Sequence, residues 1–234
     1  NAVVAVSHGV RDGIASVAGV SCDKISVVYN SVERMKLLTS DLDQNVSLWW
    51  DAKYRILSVG RLSEAKRYDL LVEAISKLPD ALDVKLIIVG EGSEREKIAK
   101  KIKLLKMQKK VMLVGQHQDV APFYSKADLY VMSSHSEGFP NVLLEALSYG
   151  VEIVSTDCLS GPREILEDGK FGTLCEVNSS DALSAGILAA LDIPRRSQQL
   201  IEHSRNFDSA KQAKMYLNLL FPGSFDPGRS FNAM

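Results

Sequence analysis

Short runs of β-branched and apolar residues alternate along the chain with longer stretches whose apolar residues recur at helical spacing, and no other feature narrows the fold as much. Runs at 3–6, 25–29, 54–59, 84–89, 111–114, 129–132, 151–155 and 173–177 read as strands. Helical periodicity fills the gaps, over about 8–17, 64–78, 93–106, 119–126, 140–149, 161–167, 179–192, 195–204 and 208–221. Parallel strands need a crossover between them, so this alternation predicts an α/β fold built as a Rossmann-like, doubly wound parallel sheet. The rhythm breaks between Ser31 and Lys53, where polar residues precede Trp49-Trp50 and no strand can be placed. Residues 1–30 then form one βα unit and a crossing, and 31–207 hold the sheet domain. A helix follows at 208–221, and the stretch 222–234, rich in Gly, Pro, Ser and Asp, is expected to be a flexible tail.

Composition excludes several classes. With 234 residues, 46% apolar and 24% charged, the chain is an ordinary globular protein with enough material for a large core. Its 28 basic and 29 acidic residues sum to −1, so no net positive field exists to hold nucleic acid. Cys22, Cys158 and Cys175 are too scattered for a disulfide framework and include no CxxC pair, which fits a reducing compartment. No apolar run approaches the roughly 20 residues that cross a bilayer, and the start lacks the regions of a signal peptide. A cytoplasmic location, with association at the inner face of the cell membrane at most, is the expectation. The chain starts without Met and enters a strand almost at once, so sequence upstream of residue 1 is also expected.

In a doubly wound sheet, ligands sit beyond the carboxyl ends of the strands, where loops lead into helix N-termini. After the strand at 54–59 comes Gly60-Arg61-Leu62-Ser63-Glu64-Ala65-Lys66-Arg67. Three cations near a helix N-terminus are unfavourable unless an anion completes the site, and an Arg fork with a Lys point charge would suit a diphosphate. Solvated charges paired with Glu64 and Asp69 are the alternative. After the strand at 129–132, the segment Ser133 to Leu147 carries Glu137-Gly138-Phe139-Pro140-Asn141-Val142 and then Glu145 within a helix apolar on nearly every side. A carboxylate held there needs a partner, either a scaffold cation or ligand hydroxyls. Glu137 and Glu145, taken along one helix, would lie roughly 12 Å apart. Glycosidase carboxylates are about 5 to 9.5 Å apart, so these two suit opposite ends of one extended ligand better than a single bond. A nucleotide diphosphate sugar has hydroxyls at both ends and an anionic centre. The N–H groups near Phe139, Asn141 and Val142, with Arg61 and Lys66, would lie near its phosphates.

In order and spacing, Gly60-Arg61 with Lys66, Val89-Gly90-Glu91-Gly92, Val114-Gly115, Tyr124 with Ala127-Asp128, Glu137-Gly138-Phe139 through Glu145-Ala146, and Gly161-Pro162-Arg163-Glu164-Ile165 resemble glycosyltransferase family 4. The resemblance runs from about Val3 to Leu191. It implies a GT-B fold, retention of anomeric configuration, and a chain that is the C-terminal, donor-binding domain with the end of a truncated N-terminal acceptor domain at 1–30. By that resemblance Arg61 and Lys66 hold the donor diphosphate and, with Glu137, are the catalytic residues. Glu145 takes the ribose hydroxyls and Glu137 those of the transferred sugar. Backbone amides of Gly138, Phe139, Asn141 and Val142 face the phosphates and sugar, and the loop 116–119, with His117, runs along the base. The implied reaction transfers a hexose or N-acetylhexosamine from a nucleotide diphosphate sugar, UDP-sugar being the first choice, to a glycan or lipid-linked acceptor in surface polysaccharide synthesis. No metal or cofactor is expected, since the cations and the helix N-terminus would do the work of a divalent ion. The fragment is expected to be inactive without its N-terminal domain, and the helix at 208–221 to cross back to that domain with part of its apolar face exposed.

Two positions depart from the family pattern. Arg67 stands where Gly is frequent, and Glu152 where Pro is usual, which should weaken the strand entry unless the side chain faces solvent. Other features are set aside. The segment 95–110 has eight basic residues, yet Ile98, Ile102 and Leu105 on one face need only a sheet beneath them; a membrane surface is the other reading. Gly90-Glu91-Gly92 suits a tight turn at the ligand rim better than a dinucleotide fingerprint. His135 is read as a loop histidine near the site, and Trp49-Trp50 as domain-interface packing. A non-catalytic nucleotide-sugar binding module and a sugar-nucleotide epimerase remain rival readings.

Overall fold

The computed structural model describes residues 3–33, 49 and 51–222. Most of the expected crossing at 31–53, almost all of the tail at 222–234, and Trp50 lie outside them. The chain opens with β1 (Val3–Ala5), α1 (His8–Ala18) and β2 (Ile25–Val27), and the two strands form a small parallel pair of their own. Six strands follow: β3 (Tyr54–Val59), β4 (Val84–Val89), β5 (Val111–Gly115), β6 (Leu129–Met132), β7 (Glu152–Thr156) and β8 (Thr173–Cys175). They make one wholly parallel sheet in the order β5-β4-β3-β6-β7-β8. The doubly wound parallel fold expected from the alternation is therefore the observed one.

Strand periodicity explains the two cores. Ile56, Leu86, Ile88 and Val131 point to one face and pack under α2 (Tyr68–Ser76), α3 (Arg95–Leu104) and α7 (Ser180–Leu191). Their neighbours Leu57, Ile87, Tyr130 and Met132 point to the other face, under α4 (Ala121–Lys126), α5 (Asn141–Ser148) and α8 (Ser197–Ser204). Both faces being covered, the central strands read as continuous apolar runs rather than alternating ones. Trp49 corrects the domain-interface reading: it is fully buried in the second of these cores, and its Nε1 donates to the Ile56 carbonyl at 3.0 Å.

Three further details differ from the sequence reading. The helix expected over 64–78 is a 3₁₀ turn, Glu64–Lys66, and then α2, divided at Arg67, whose backbone is left-handed at φ 49°. That conformation favours glycine. The Arg67 guanidinium is held by Asp69 and by Asn178, so it turns away from Lys66. Glu152 does not face solvent. Its side chain is 12% exposed and takes two hydrogen bonds from Arg196 at 2.9 and 2.6 Å, a bidentate pair that offsets burial of the charge. The last helix, α9 (Ser209–Leu220), exposes Met215, Tyr216 and Leu220 and buries only Gln212.

The turns after β3, β4 and β5 are laced together at the carboxyl edge. Gly60 N–H donates to the Val89 carbonyl at 2.9 Å, Leu62 N–H to Glu91 at 2.9 Å, and Gly90 N–H to Gly115 at 2.8 Å. Gly90 has φ 147°, and a Cβ built on it would lie 1.9 Å from the Gly60 carbonyl oxygen. The Gly90-Glu91-Gly92 segment is thus a close-approach turn, and an alanine cannot enter it without displacing backbone. Gly90→Ala is expected to destabilise the chain by about 3 kcal/mol or more, read as a lowered urea midpoint; an unchanged midpoint would show that the lacing is not rigid.

Candidate functional site

The sheet order reverses between β3 and β6. The chain leaves β3 toward β4 on one side and leaves β6 toward β7 on the other, so a crevice opens where their loops part. The loops 60–67 and 133–140 flank that crevice and carry most of the residues singled out in the sequence. Backbone pins them to each other: His135 N–H donates to the Ala65 carbonyl at 3.0 Å, and Ser133 Oγ to the Lys66 carbonyl at 2.8 Å. Between them Lys66 Nζ donates to Glu137 Oε1 at 2.6 Å, and Ser134 Oγ donates to the same oxygen at 2.6 Å. Both members of this ion pair are largely buried, at 24% and 11% exposure, so its geometry is set by the scaffold.

Arg61 is exposed and, among the described residues, has no carboxylate partner. It lines a cleft of about 330 Å³ with Gly60, Gly90, Glu91, Gln116 and His117. Of the three cations in the loop, Arg67 follows the surface-pair alternative, Lys66 pairs with Glu137, and Arg61 alone stands free. His117 shares the Arg61 cleft, with Nε2 3.3 Å from the Val114 carbonyl oxygen and its ring edge on Phe123. His135 lies elsewhere, in a polar hollow with Glu64, Arg67, Lys97 and Asn178.

Glu145 sits in the middle of α5 without a scaffold cation among the described residues. Its one hydrogen bond comes from Tyr124, whose hydroxyl donates to Oε2 at 2.8 Å. Tyr124 is fully buried and stacked on Tyr130 and Tyr149, with centroids 5.7 Å away in each case. Burial raises the Glu145 carboxyl above the usual carboxylate range, and the Tyr124 hydroxyl opposes part of that shift. Burial also raises the Tyr124 phenol well above its ordinary value.

The spacing argument for Glu137 and Glu145 needs correction. Pro140 is the N-cap with extended backbone and α5 begins at Asn141, so residues 137–140 are loop and the helical rise does not apply to them. The helix start still matters, because the first N–H groups of a helix have no partner within it. Phe139 is buried, its ring stacked on Tyr29 at 4.9 Å and its carbonyl accepting from Asn30 Nδ2 at 3.2 Å. The Asn141 side-chain oxygen accepts from the same Asn30 nitrogen at 2.9 Å. What Phe139 offers a ligand is therefore backbone, and the exposed Asn141 adds its side-chain Nδ2 to its backbone N–H. Val142 packs against the core, and Gly138 lies open beneath Val6 and Val10 of the first βα unit. Sequence reasoning gave no role to Ser134, Tyr124 or Asn30. Only the position of Ser134, three residues before Glu137, was a usable signal, since the other two come from distant segments.

A second cavity lies at the amino ends of the strands, lined by Tyr54, Asp128, Glu152, Arg195 and Arg196 among others. Its charges are spent on one another: Asp128 takes two hydrogen bonds from the Arg55 guanidinium and one from Arg195, and Glu152 pairs with Arg196. Among the described residues no three His, Cys, Asp or Glu side chains are grouped so as to hold a metal ion, and no helix is long and apolar enough to cross a membrane.

Residues 40–207 match the family described as glycosyl transferases group 1, and the chain belongs to that family. A similar protein is the N-acetylgalactosamine-N,N'-diacetylbacillosaminyl-diphospho-undecaprenol 4-alpha-N-acetylgalactosaminyltransferase of Campylobacter jejuni, 32% identical over 186 residues that cover 80% of this chain and 49% of that protein. The chain spans about half the length of the curated relatives it matches. Among solved structures, the lipopolysaccharide outer core galactosyltransferase WaaB superposes with a TM-score of 0.76 at 27% identity, over 93% of this chain and 61% of the other. Anabaena Alr3699/HepE, solved with UDP and glucose, gives a TM-score of 0.82 at 22% identity, over 94% of this chain and 62% of the other, and shares the fold. These structural neighbours are GT-B glycosyltransferases, and the six-stranded sheet is of their kind.

The shifted Glu145 carboxyl has a consequence for stability. A folded-state pKa above the unfolded one means that the folded chain is penalised once the group ionises. The penalty is absent below the unfolded value, about 4.3, and complete above the folded one. Glu145→Gln is therefore expected to melt a few degrees above the parent at pH 7 and to match it below about pH 4. Equal destabilisation at every pH in thermal scans would show instead that the carboxylate is structural.

Proposed function

We propose that the chain is the donor-binding half of a retaining glycosyltransferase of family 4, moving a hexose or N-acetylhexosamine from a nucleotide diphosphate sugar to a glycan or lipid-linked acceptor. The single observation that carries this reading is the composition of the crevice between β3 and β6. It offers a free Arg61, a preplaced Lys66–Glu137 pair, a helix start, and a half-buried Glu145 held, among the described residues, by nothing stronger than a tyrosine hydroxyl.

In this reading the diphosphate lies against the first turn of α5, between Arg61 and Lys66. As the bond from the anomeric carbon to the β-phosphate oxygen breaks, its electron pair passes to the phosphate, the acceptor hydroxyl oxygen bonds to the anomeric carbon, and the hydroxyl proton goes to the departing phosphate. The two cations and the helix N-terminus offset the charge that collects there. Lys66 is drawn from Glu137 toward the phosphate, which frees Glu137 to accept hydrogen bonds from the hydroxyls of the sugar. Glu145 takes the ribose hydroxyls at the other end and with them the donors that its burial demands. No metal or cofactor enters the scheme. The N–H groups of Gly138, Phe139, Asn141 and Val142 line the donor, and His117 with the loop 116–119 borders the base.

Residues 3–33 would supply the last βα unit of the acceptor-binding domain, and the exposed face of α9 would return to that domain. The names of the relatives support a role in surface polysaccharide synthesis: besides the undecaprenol-linked enzyme, they include a lipopolysaccharide 1,6-galactosyltransferase of Salmonella typhimurium. Work at the inner face of the cell membrane follows if the acceptor is lipid-linked.

Thermal melting of the chain with UDP, GDP, ADP and their sugars tests the reading and identifies the base. UDP is expected to raise the midpoint, and Arg61→Ala or Lys66→Ala to weaken its binding about tenfold or more through loss of a charge-assisted contact. No shift with any nucleotide would contradict the donor site. Incubating the whole protein with donor and acceptor separates the alternatives, because a transferase consumes both, a binding module neither, and an epimerase the donor alone.

A further inference from the structure

The Glu164 carboxylate reaches across the molecule to α1. Gly161, with φ 92°, packs so closely on the Glu137–Asn141 loop that a Cβ there would lie 2.5 Å from Pro140 Cδ. The four-residue helix α6 (Pro162–Ile165) follows, anchored at its far end by His203, whose Nε2 lies 2.7 Å from the Ile165 oxygen. Glu164 is thus held on a rigid step beside the sugar-side loop. Its Oε2 accepts from His8 N–H at 2.9 Å and its Oε1 from Gly9 N–H at 3.1 Å, so the carboxylate caps the N-terminus of α1 from 155 residues away. A negative charge at that end also meets the helix dipole favourably.

The same contact extends to the ligand loop. Glu164 lies beside the Tyr29 phenol, which burial, together with that neighbouring charge, pushes up to about 12. The Tyr29 ring stacks on Phe139, two residues after Glu137. Asn30, next in sequence, bonds the Phe139 carbonyl and the Asn141 side chain. Gly9 approaches the loop after β7 so tightly that a Cβ on it would lie 2.5 Å from Ser160 Oγ and 2.9 Å from the Leu159 oxygen. The first βα unit therefore rests on two loops of the crevice, and α1 buries no residue of its own to hold it there. With its apolar Val10 and Ile14 only half-buried, α1 depends on the Glu164 cap and on the contacts of Tyr29 and Asn30 for its place over the loop.

We propose that Glu164 is a positioning residue: its carboxylate latches the N-terminus of α1 and so fixes the segment 3–33 over the loop that bears Glu137. This rests on the donor-site reading above for its effect on transfer, although the latch itself does not. The diphosphate and ribose contacts of Arg61, Lys66 and Glu145 do not touch the latch, whereas the sugar-side loop at Phe139 and Asn141 meets it through Tyr29 and Asn30, and transfer needs the acceptor side held at a fixed distance from the sugar.

The test uses the whole protein with Glu164→Ala, Glu164→Gln and Glu164→Asp. Hydrogen exchange at the His8 and Gly9 amides is expected to quicken at least about tenfold in Glu164→Ala, the scale of a lost charge-assisted hydrogen bond, while exchange in β3 and β4 is unchanged. In turnover assays kcat falls about tenfold or more on the same scale, UDP affinity stays within about twofold, and Glu164→Asp recovers part of the loss because it keeps the charge that Glu164→Gln removes. Unchanged exchange at His8 and Gly9 would overturn the latch. Unchanged kcat with faster exchange would overturn its role in transfer, as would a parallel fall in kcat, UDP affinity and melting temperature. Absence of UDP binding in the parent protein would instead contradict the donor reading and leave the exchange result to decide the latch.

Discussion

The ion pair between Lys66 and Glu137 bridges the point at which the sheet reverses direction, and the rest of the site is arranged around it. Each partner stands on a loop that leaves a neighbouring strand, and each loop is pinned to the other by backbone as well as by the charges. An isolated pair this far from water would add little stability, because desolvation cancels much of the attraction. A pair that can exchange partners is different. Placed beside a free arginine and a helix start, in the proposed function it is a cation stored for a phosphate, with a carboxylate ready for hydroxyls once the cation turns.

Glu145 is the counterpart of that arrangement at the other end. A carboxylate in an apolar helix is unfavourable when ionised, and among the described residues the Tyr124 hydroxyl is the one side chain that relieves it. Contrast Glu152 and Asp128 at the opposite end of the sheet, each given an arginine fork. The protein evidently has the means to neutralise a buried acid where the acid is structural. In the proposed function, the remaining partners of the underpaired Glu145 come from a ligand.

Most of the architecture was legible because parallel strands covered on both faces leave apolar runs that nothing interrupts. Elements such as 84–89 and 129–132 needed only counting, and β8 emerged from a three-residue core. What the sequence hid were events of a single residue. The left-handed backbone at Arg67 split one helix into a turn and a shorter helix, and the extended backbone at Pro140 moved Glu137 off the helix that carries Glu145. Trp49 read as interface because its polar flanks suggest a linker, whereas its indole nitrogen finds a carbonyl in the core. Of the candidate site residues, Arg61, Lys66 and Glu137 were visible as unusual charges near helix starts, and Glu145 as a carboxylate inside an apolar helix. Asn30, Tyr124 and Glu164 act through contacts whose partners lie in other segments, and spacing alone cannot reveal them.

Diffraction from crystals of the chain grown with UDP tests the central claim most directly. The account places the diphosphate against the first turn of α5 within hydrogen-bond reach of Arg61 and Lys66, with the ribose hydroxyls on Glu145. A nucleotide seated in the cavity at the amino ends of the strands, or one that leaves the Glu145 carboxylate untouched, would contradict it.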